Sequence, residues 1–233
     1  MKKIFESYGI ILSDEQMEQL YKYYELLIEW NEKVNLTSIT EYDDVVWKHF
    51  LDSSLVMISE KWKRNTAATV LDVGTGAGFP GMVLAILNPE KKFVLLDSLN
   101  KRIDFLNLVK EELSLQNVET YHGRAETYGR REDFRNQFDF VVSRAVAELP
   151  ILLEYCIPFA KKEGYFISYK GKRQEKEVEL AEHAFKELDA FFDDLEEFEL
   201  QNGEKRYLLF IKKKELTREK YPRKDGKPKK KPL

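Results

Sequence analysis

The chain has a single cysteine, Cys156, among 233 residues. An internal disulfide is impossible, cysteine-rich zinc sites are excluded, and a reducing compartment fits. Long apolar runs are also missing. Mean hydropathy is −0.50, and no window nears the roughly 18 apolar residues of a membrane span. The start, Met1-Lys2-Lys3-Ile4-Phe5-Glu6, is basic but has no apolar stretch behind it, so no secretory signal is expected. These absences place the protein in the cytoplasm, off the membrane. The histidines His49, His122 and His183 stand far apart without the spacing of metal ligands, so no metal is expected. No internal repeat, Ser/His/Asp pattern or nucleophile elbow is visible.

What is present is charge. Charged residues make up 34% and apolar residues 43%, against roughly 25% charged in an average globular chain. The length suits one larger α/β domain or two small ones, and is too short for a multi-domain machine. A net charge of −3 hides an asymmetry: residues 212–233 hold eleven Lys/Arg against three Asp/Glu, or +8, which leaves −11 for the rest. A basic tail on an acidic body suggests contact with something anionic, and a merely solubilising tail is the alternative.

The first sixty residues read as helical. Ser13-Asp14-Glu15-Gln16 is a capping box, followed by Met17, Leu20, Tyr21, Tyr24, Leu27 and Ile28 at helical spacing. A second helix is predicted over 43–60. From Thr69 strands and helices alternate. Strands are predicted at 69–73, 93–97, 118–122, 138–143, 164–169 and 206–212, with helices at 80–87 and from Asn100, which is expected to cap. The segment 175–199, with eleven acids, is predicted to be a solvated helix and its exit. Such alternation means βαβ units and a mostly parallel sheet, with ligands at the carboxyl ends of the strands. The chain divides into a helical cap over 1–65, an α/β domain over 66–212 and a basic tail over 213–233.

After the first predicted strand comes Asp72-Val73-Gly74-Thr75-Gly76-Ala77-Gly78-Phe79-Pro80-Gly81. Such a turn before a helix lets a ligand approach the backbone closely and meet free N–H groups. GxGxxG alone serves dinucleotides and S-adenosylmethionine alike. Asp72 favours the latter. A carboxylate there can pair with an ammonium group, whereas a pyrophosphate would be repelled. Asp97, closing the next strand, can accept both ribose hydroxyls, which suits either ligand. Ala125 and Glu126, after the third strand, suit the edge of an adenine ring and its exocyclic amine. Glu126 as a plain helix-start acid is the alternative.

The fourth strand ends Ser143-Arg144-Ala145-Val146. The Asn/Asp-Pro-Pro-aromatic turn of enzymes that methylate exocyclic amines is missing. Cys156, the only thiol available for carbon methylation, lies in an apolar stretch and reads as a packed small hydrophobe. What remains is transfer to an atom with a free lone pair, such as N7 of guanine, by proximity and orientation without a general base. Arg144 would position the base, since a guanidinium suits O6/N7-type acceptors; pairing with a carboxylate is the alternative. On these residues an NAD-linked oxidoreductase and a non-catalytic RNA-binding module also stay open.

Taken together, 33–38 (KVNLTS), 48–53 (KHFLDS), 72–81, 96–102 (LDSLNKR), 123–126 (GRAE), 142–145 (VSRA), 169–171 (YKG) and the end from Tyr221 closely resemble one family. It is the bacterial small-subunit ribosomal RNA guanine-N7 methyltransferase G, or glucose-inhibited division protein B. The resemblance implies a class I S-adenosylmethionine-dependent methyltransferase fold, Rossmann-like with a mostly parallel seven-stranded sheet, and a helical N-terminal extension. It implies S-adenosylmethionine as cofactor and N7 of one guanine in 16S rRNA, within the small subunit or its precursor, as acceptor. Gly74, Phe79, Ala125, Glu126 and Arg144 are then the expected cofactor contacts, beside Asp72, Gly76, Gly78 and Asp97 from the loop and strand ends. Lys48, His49, Arg124, Lys170 and Arg173 are expected to face RNA, the acidic segment 175–199 to face away, and the protein to act as a monomer.

Overall fold

Ser13 opens the first long helix as predicted. Its hydroxyl accepts the Gln16 N–H at 3.1 Å, and the Gln16 side chain accepts the Ser13 N–H at 3.0 Å. The structure, a computed structural model, describes residues 1–171, 175–200, 203–224 and 226–233. Helix α1 (Lys2–Ser7) and helix α2 (Asp14–Val34) lead into a run of short helical turns from 42 to 63. The predicted second helix is therefore present but irregular: Val46–Leu51 winds as a π-helix. Such turns are often found at functional sites, and this one carries Lys48 and His49.

Beyond it, β1 (Thr69–Val73), α3 (Gly81–Leu87), β2 (Lys92–Asp97), α4 (Asn100–Glu112), β3 (Val118–His122), α5 (Ala125–Tyr128), β4 (Phe138–Arg144), α6 (Leu149–Cys156) and β5 (Ala160–Lys170) alternate. Short helices α7 (Glu175–Leu180) and α8 (Glu182–Glu187) follow, then β6 (Ala190–Glu199), β7 (Lys205–Lys213) and a last turn, α9 (Lys227–Lys230). Asn100 does not cap α4. Leu99 takes that position, and the Asn100 amide donates to Asp104 instead.

The seven strands form one sheet in the order β3-β2-β1-β4-β5-β7-β6. The first five run parallel, and β6–β7 closes the edge as an antiparallel pair against β5. The seventh strand corrects the sequence reading. Ala190–Glu199 lies in the segment predicted to be helical and solvated. Its acids hid the strand because it is an edge strand with one side open to solvent, where charge is tolerated and blunts unwanted pairing. Several of these acids also have partners in the N-terminal turns. Asp194 takes Lys61 at 2.6 Å, and Glu196 accepts the Ser59 hydroxyl at 2.7 Å.

The cap is not a separate body. Phe5, Leu20, Tyr23 and Leu27 share one buried core with Val70, Phe93 and Phe140 of the sheet. The other face is covered by α6 and its neighbours, where Cys156, fully buried, packs with Leu71, Val141 and Phe166 as the predicted small hydrophobe. The strand order reverses between β1 and β4, which opens a crevice at their carboxyl ends.

Candidate active site

The crevice holds two clefts that share one wall. The first, of about 400 Å³, is lined by Gly74, Asp97, Arg124, Ala125, Glu126 and Val146, together with Tyr155 and Lys229. The second, of about 430 Å³, is lined by His49, Asp52, Arg144, Ala145, Tyr169 and Lys170, together with Lys48, Ala147 and Arg206. The residues leaving β4 alternate between them. Val146 enters the first, while Arg144, Ala145 and Ala147 face the second. Ala145 sits at φ 57, a left-handed turn that makes this division.

The glycine loop is pinned from three sides. Gly74 takes φ 74, and its N–H donates to the Leu96 carbonyl at 2.8 Å; a side chain there would meet Val146 Cγ2 at 2.6 Å. The Gly76 N–H donates to Asp97 Oδ2 at 2.9 Å. From the cap, the Tyr23 hydroxyl donates to the Ala77 carbonyl. Gly78 is fixed by the same contact, because a Cβ there would run into the Tyr23 hydroxyl.

Both strand-end carboxylates are buried and already hold hydrogen bonds of the loop. Asp97 is 2% exposed and already accepts the Gly76 N–H, the Leu99 N–H at 2.9 Å and Arg102 at 3.2 Å. Arg102 also reaches Oδ1 at 3.5 Å, so the roughly four acceptor positions of the carboxylate are engaged and a ligand hydroxyl would take the place of the partly exposed Arg102. Asp72 lies beneath the loop, fully buried, and does not line either cleft. Its Oδ2 accepts the Gly81 N–H at 2.8 Å, and its Oδ1 has no hydrogen-bond partner. The nearby Thr75 hydroxyl pulls the carboxyl pKa down without forming a bond of regular geometry. Burial wins and raises the pKa to about 7.

Arg144 is held in place by its neighbours. It donates to Asp52 at 2.5 Å and to the Lys48 carbonyl at 3.1 Å, lies 3.3 Å from His49 Nδ1, and sits over the Phe79 ring. Asp52 also takes Arg206 at 3.1 Å. The carboxylate alternative weighed for Arg144 thus exists alongside its place in the second cleft. Phe79, an expected cofactor contact, does not line the first cleft: its ring stacks on His49 at 4.3 Å and on Tyr23 at 5.6 Å.

Among the expected RNA-facing residues, Arg124 is exposed at the first cleft. Lys48 pairs with Asp44 at 2.8 Å. Lys170 pairs with Glu177 at 2.6 Å, so the acidic segment does not lie wholly away from the site. His49 is 9% exposed, with Nε2 2.9 Å from the Thr37 hydroxyl. Burial and the Arg144 charge lower its pKa to about 3, so it offers phosphate no charge. Arg173 and its neighbour Lys172 lie outside the described residues. Sequence reasoning gave no role to Tyr23, Asp52, Val146 or Arg206. Only Asp52 had a signal, its place in the Lys48–Ser53 motif. Among the described residues, no group of three His, Cys, Asp or Glu could hold a metal ion, and no helix is long and apolar enough to cross a membrane.

Strand order, glycine turn and strand-end acids together define a class I methyltransferase architecture. Solved structures agree in fold. An O-methyltransferase from Bacillus cereus in complex with SAH is 16% identical, covers 82% of this chain and 91% of its own, and has a TM-score of 0.56. M. jannaschii TYW2 in complex with AdoMet is 17% identical over 64% and 72%, with a TM-score of 0.51. The chain belongs to the rRNA small subunit methyltransferase G (GidB) family, whose model matches residues 16–205. Ribosomal RNA small subunit methyltransferase G of Lachnoclostridium phytofermentans is 49% identical, covering 97% of this chain and 93% of its own. The Lactococcus lactis subsp. lactis protein of the same name is 47% identical over 97% and 94%.

Proposed function

We propose that the protein transfers a methyl group from S-adenosylmethionine to N7 of a guanine in 16S rRNA, acting as a cytoplasmic monomer on the small subunit or its precursor. The residues of the first cleft fit this cofactor. The Gly74–Gly76 backbone allows close approach, Asp97 would accept a ribose hydroxyl in place of Arg102, and Ala125-Glu126 offer an adenine edge an apolar face and an acceptor. Beneath the turn, the unpartnered Asp72 Oδ1 is the acceptor that an ammonium group would satisfy. When bound, the cofactor supplies a methyl group on a sulfonium. The chain's part is to hold it in the first cleft and the acceptor in the second, in line where the two clefts meet at the edge of Arg144–Ala147, so that proximity and orientation lower the barrier.

One observation carries the choice of acceptor atom: among the described residues of the second cleft, no side chain stands unengaged as a general base. Asp52 is held by two guanidiniums, the His49 pKa is near 3, and Lys170 is paired. The Tyr169 hydroxyl is raised well above its usual range by burial and donates to the Ser53 carbonyl. A ring nitrogen with a lone pair loses no proton on methylation, so it needs no base. Arg144 would then contact the O6/N7 edge of the base. Tritiated methyl transfer to 30S particles lacking the modification, with strand scission at N7-methylguanine to locate it, tests the proposal. No incorporation, or methyl on carbon or an exocyclic amine, refutes it.

A further inference from the structure

The basic C-terminal segment is built into the site. Lys213, the last residue of β7, is fully buried and donates to Asn136, Ile157 O and Ala160 O. The chain then crosses α5 and α6 as a strap. Arg130 donates to the carbonyls of Pro222 at 2.9 Å and Lys220 at 3.1 Å, and Arg135 to those of Thr217 at 2.6 Å and Tyr221 at 2.8 Å. Gly129 leaves room for Pro222, whose ring would lie 3.0 Å from a Cβ there. The strongest anchor is Arg223. Its guanidinium forks onto Glu154 at 2.7 and 2.9 Å, and its own N–H adds a third bond at 2.7 Å. Glu154 is 0% exposed. A carboxylate buried that deeply is costly unless paired, so the fold commits α6 to holding the strap.

The anchoring puts charge at a definite place. Lys229, on α9, lines the first cleft beside Arg124 and Glu126. Lys224 lines an adjoining cavity of about 510 Å³ with Arg124, Arg130, Glu126 and Thr127. Arg124 and Glu126 therefore belong to both spaces. Among the described residues no carboxylate pairs with Arg124, Arg130, Lys224 or Lys229, whereas Lys48, Lys170, Arg206 and Lys212 are each paired. A merely solubilising tail would need neither a buried anchor nor this convergence.

We propose that the strap, through Lys224 and Lys229 acting with Arg124 and Arg130, is a docking site for backbone phosphates of the RNA next to the target nucleotide. It rests on the rRNA-methyltransferase reading and adds the surface along which the substrate strand enters. Phosphate contacts of this kind fix register without reading sequence.

The test uses the full-length double variant Lys224→Glu/Lys229→Glu, both positions being exposed, with 30S particles lacking the modification as substrate and S-adenosylhomocysteine as probe of the first cleft. The KM for the particles should rise roughly tenfold at physiological salt, and the slope of log affinity against log salt should fall by about 1.4, for two single-strand phosphate contacts. A thermal melt matching wild type should accompany this, and the single variant Lys224→Glu, at a position outside the first cleft, should keep S-adenosylhomocysteine affinity within about threefold while lowering the slope by about 0.7. Unchanged KM and salt slope would overturn the proposal. So would a loss of nucleoside affinity with the salt slope intact, since the strap would then only wall the cofactor cleft. The companion Arg223→Ala, which releases the strap, should lower the salt slope in the same direction, and an unchanged slope there also counts against it. Failure of wild type to methylate the particles would instead refute the proposed activity.

Discussion

Asp52 and Arg144 meet at 2.5 Å across 92 positions of sequence, tying the π-helical turn of the cap to the end of β4. The pair is mostly buried, with side-chain exposures of 8% and 15%. Its position makes the cap part of the wall of the second cleft.

Asp52→Ala should therefore slow methyl transfer by about a hundredfold, the scale of a small misplacement of a positioning group. Removing one member of a buried pair should also lower stability by about 3 kcal/mol. S-adenosylhomocysteine affinity should stay within a few-fold, because Asp52 does not line the first cleft. Single-turnover rates and calorimetric titration check this, and an unaltered rate would show that Arg144 needs no such tether.

Tyr23→Phe keeps the ring stacked between Phe50 and Phe79 but leaves the Ala77 carbonyl without its donor. An unsatisfied buried acceptor costs about 1–3 kcal/mol. The loss should appear in urea melts together with weaker nucleoside binding, since the loop loses one of its pins. Undiminished affinity would mean that the loop is rigid without the cap.

Gly74→Ala forces a Cβ into a left-handed turn at a cost of about 1–2 kcal/mol and against Val146 Cγ2. Nucleoside affinity should drop more than about tenfold, by the factor of ten that 1.4 kcal/mol represents. Adding Val146→Ala should restore part of it by removing the contact but not the strain. Calorimetry on both variants distinguishes the two contributions.

Asp72 gives a pH signature. Its carboxyl is raised from 3.8 to about 7, so between those values the folded protein keeps a proton that the unfolded chain has lost. Stability from this group is greatest at low pH and falls as pH rises to 7. Asp72→Asn removes the penalty. Urea melts should show little difference from wild type near pH 4 and a gain of up to ~4 kcal/mol at pH 8, at 1.36 kcal/mol per unit. The same variant should bind S-adenosylhomocysteine more weakly at pH 8, having lost the charge that meets an ammonium group. Equal gains at both pH values would place the raised pKa elsewhere.

The strands 69–73, 93–97 and 118–122, the capping box at Ser13 and the glycine turn were legible in the residues because each is a local matter of side-chain period or backbone freedom. Cys156 was legible as a core residue for the same reason. Strand β6 was not, because an edge strand whose acids face solvent or the cap carries the composition of an exposed helix. Nor were the bonds that Asp97 makes with Gly76, Leu99 and Arg102, which use most of its acceptors before any ligand arrives.

By itself the sequence determined the alternation of strands and helices from Thr69 to β5, the turn at Gly74 and which strand ends carry acids, since these depend on neighbours a few residues away. The tertiary structure alone decided that His49 is neutral beneath Phe79, that Asp52 rather than solvent meets Arg144, and that Arg223 on Glu154 brings Lys229 to the first cleft. Those facts depend on burial and on the meeting of charges tens of residues apart, and an ionisable group takes its behaviour from the dielectric and partners that packing gives it.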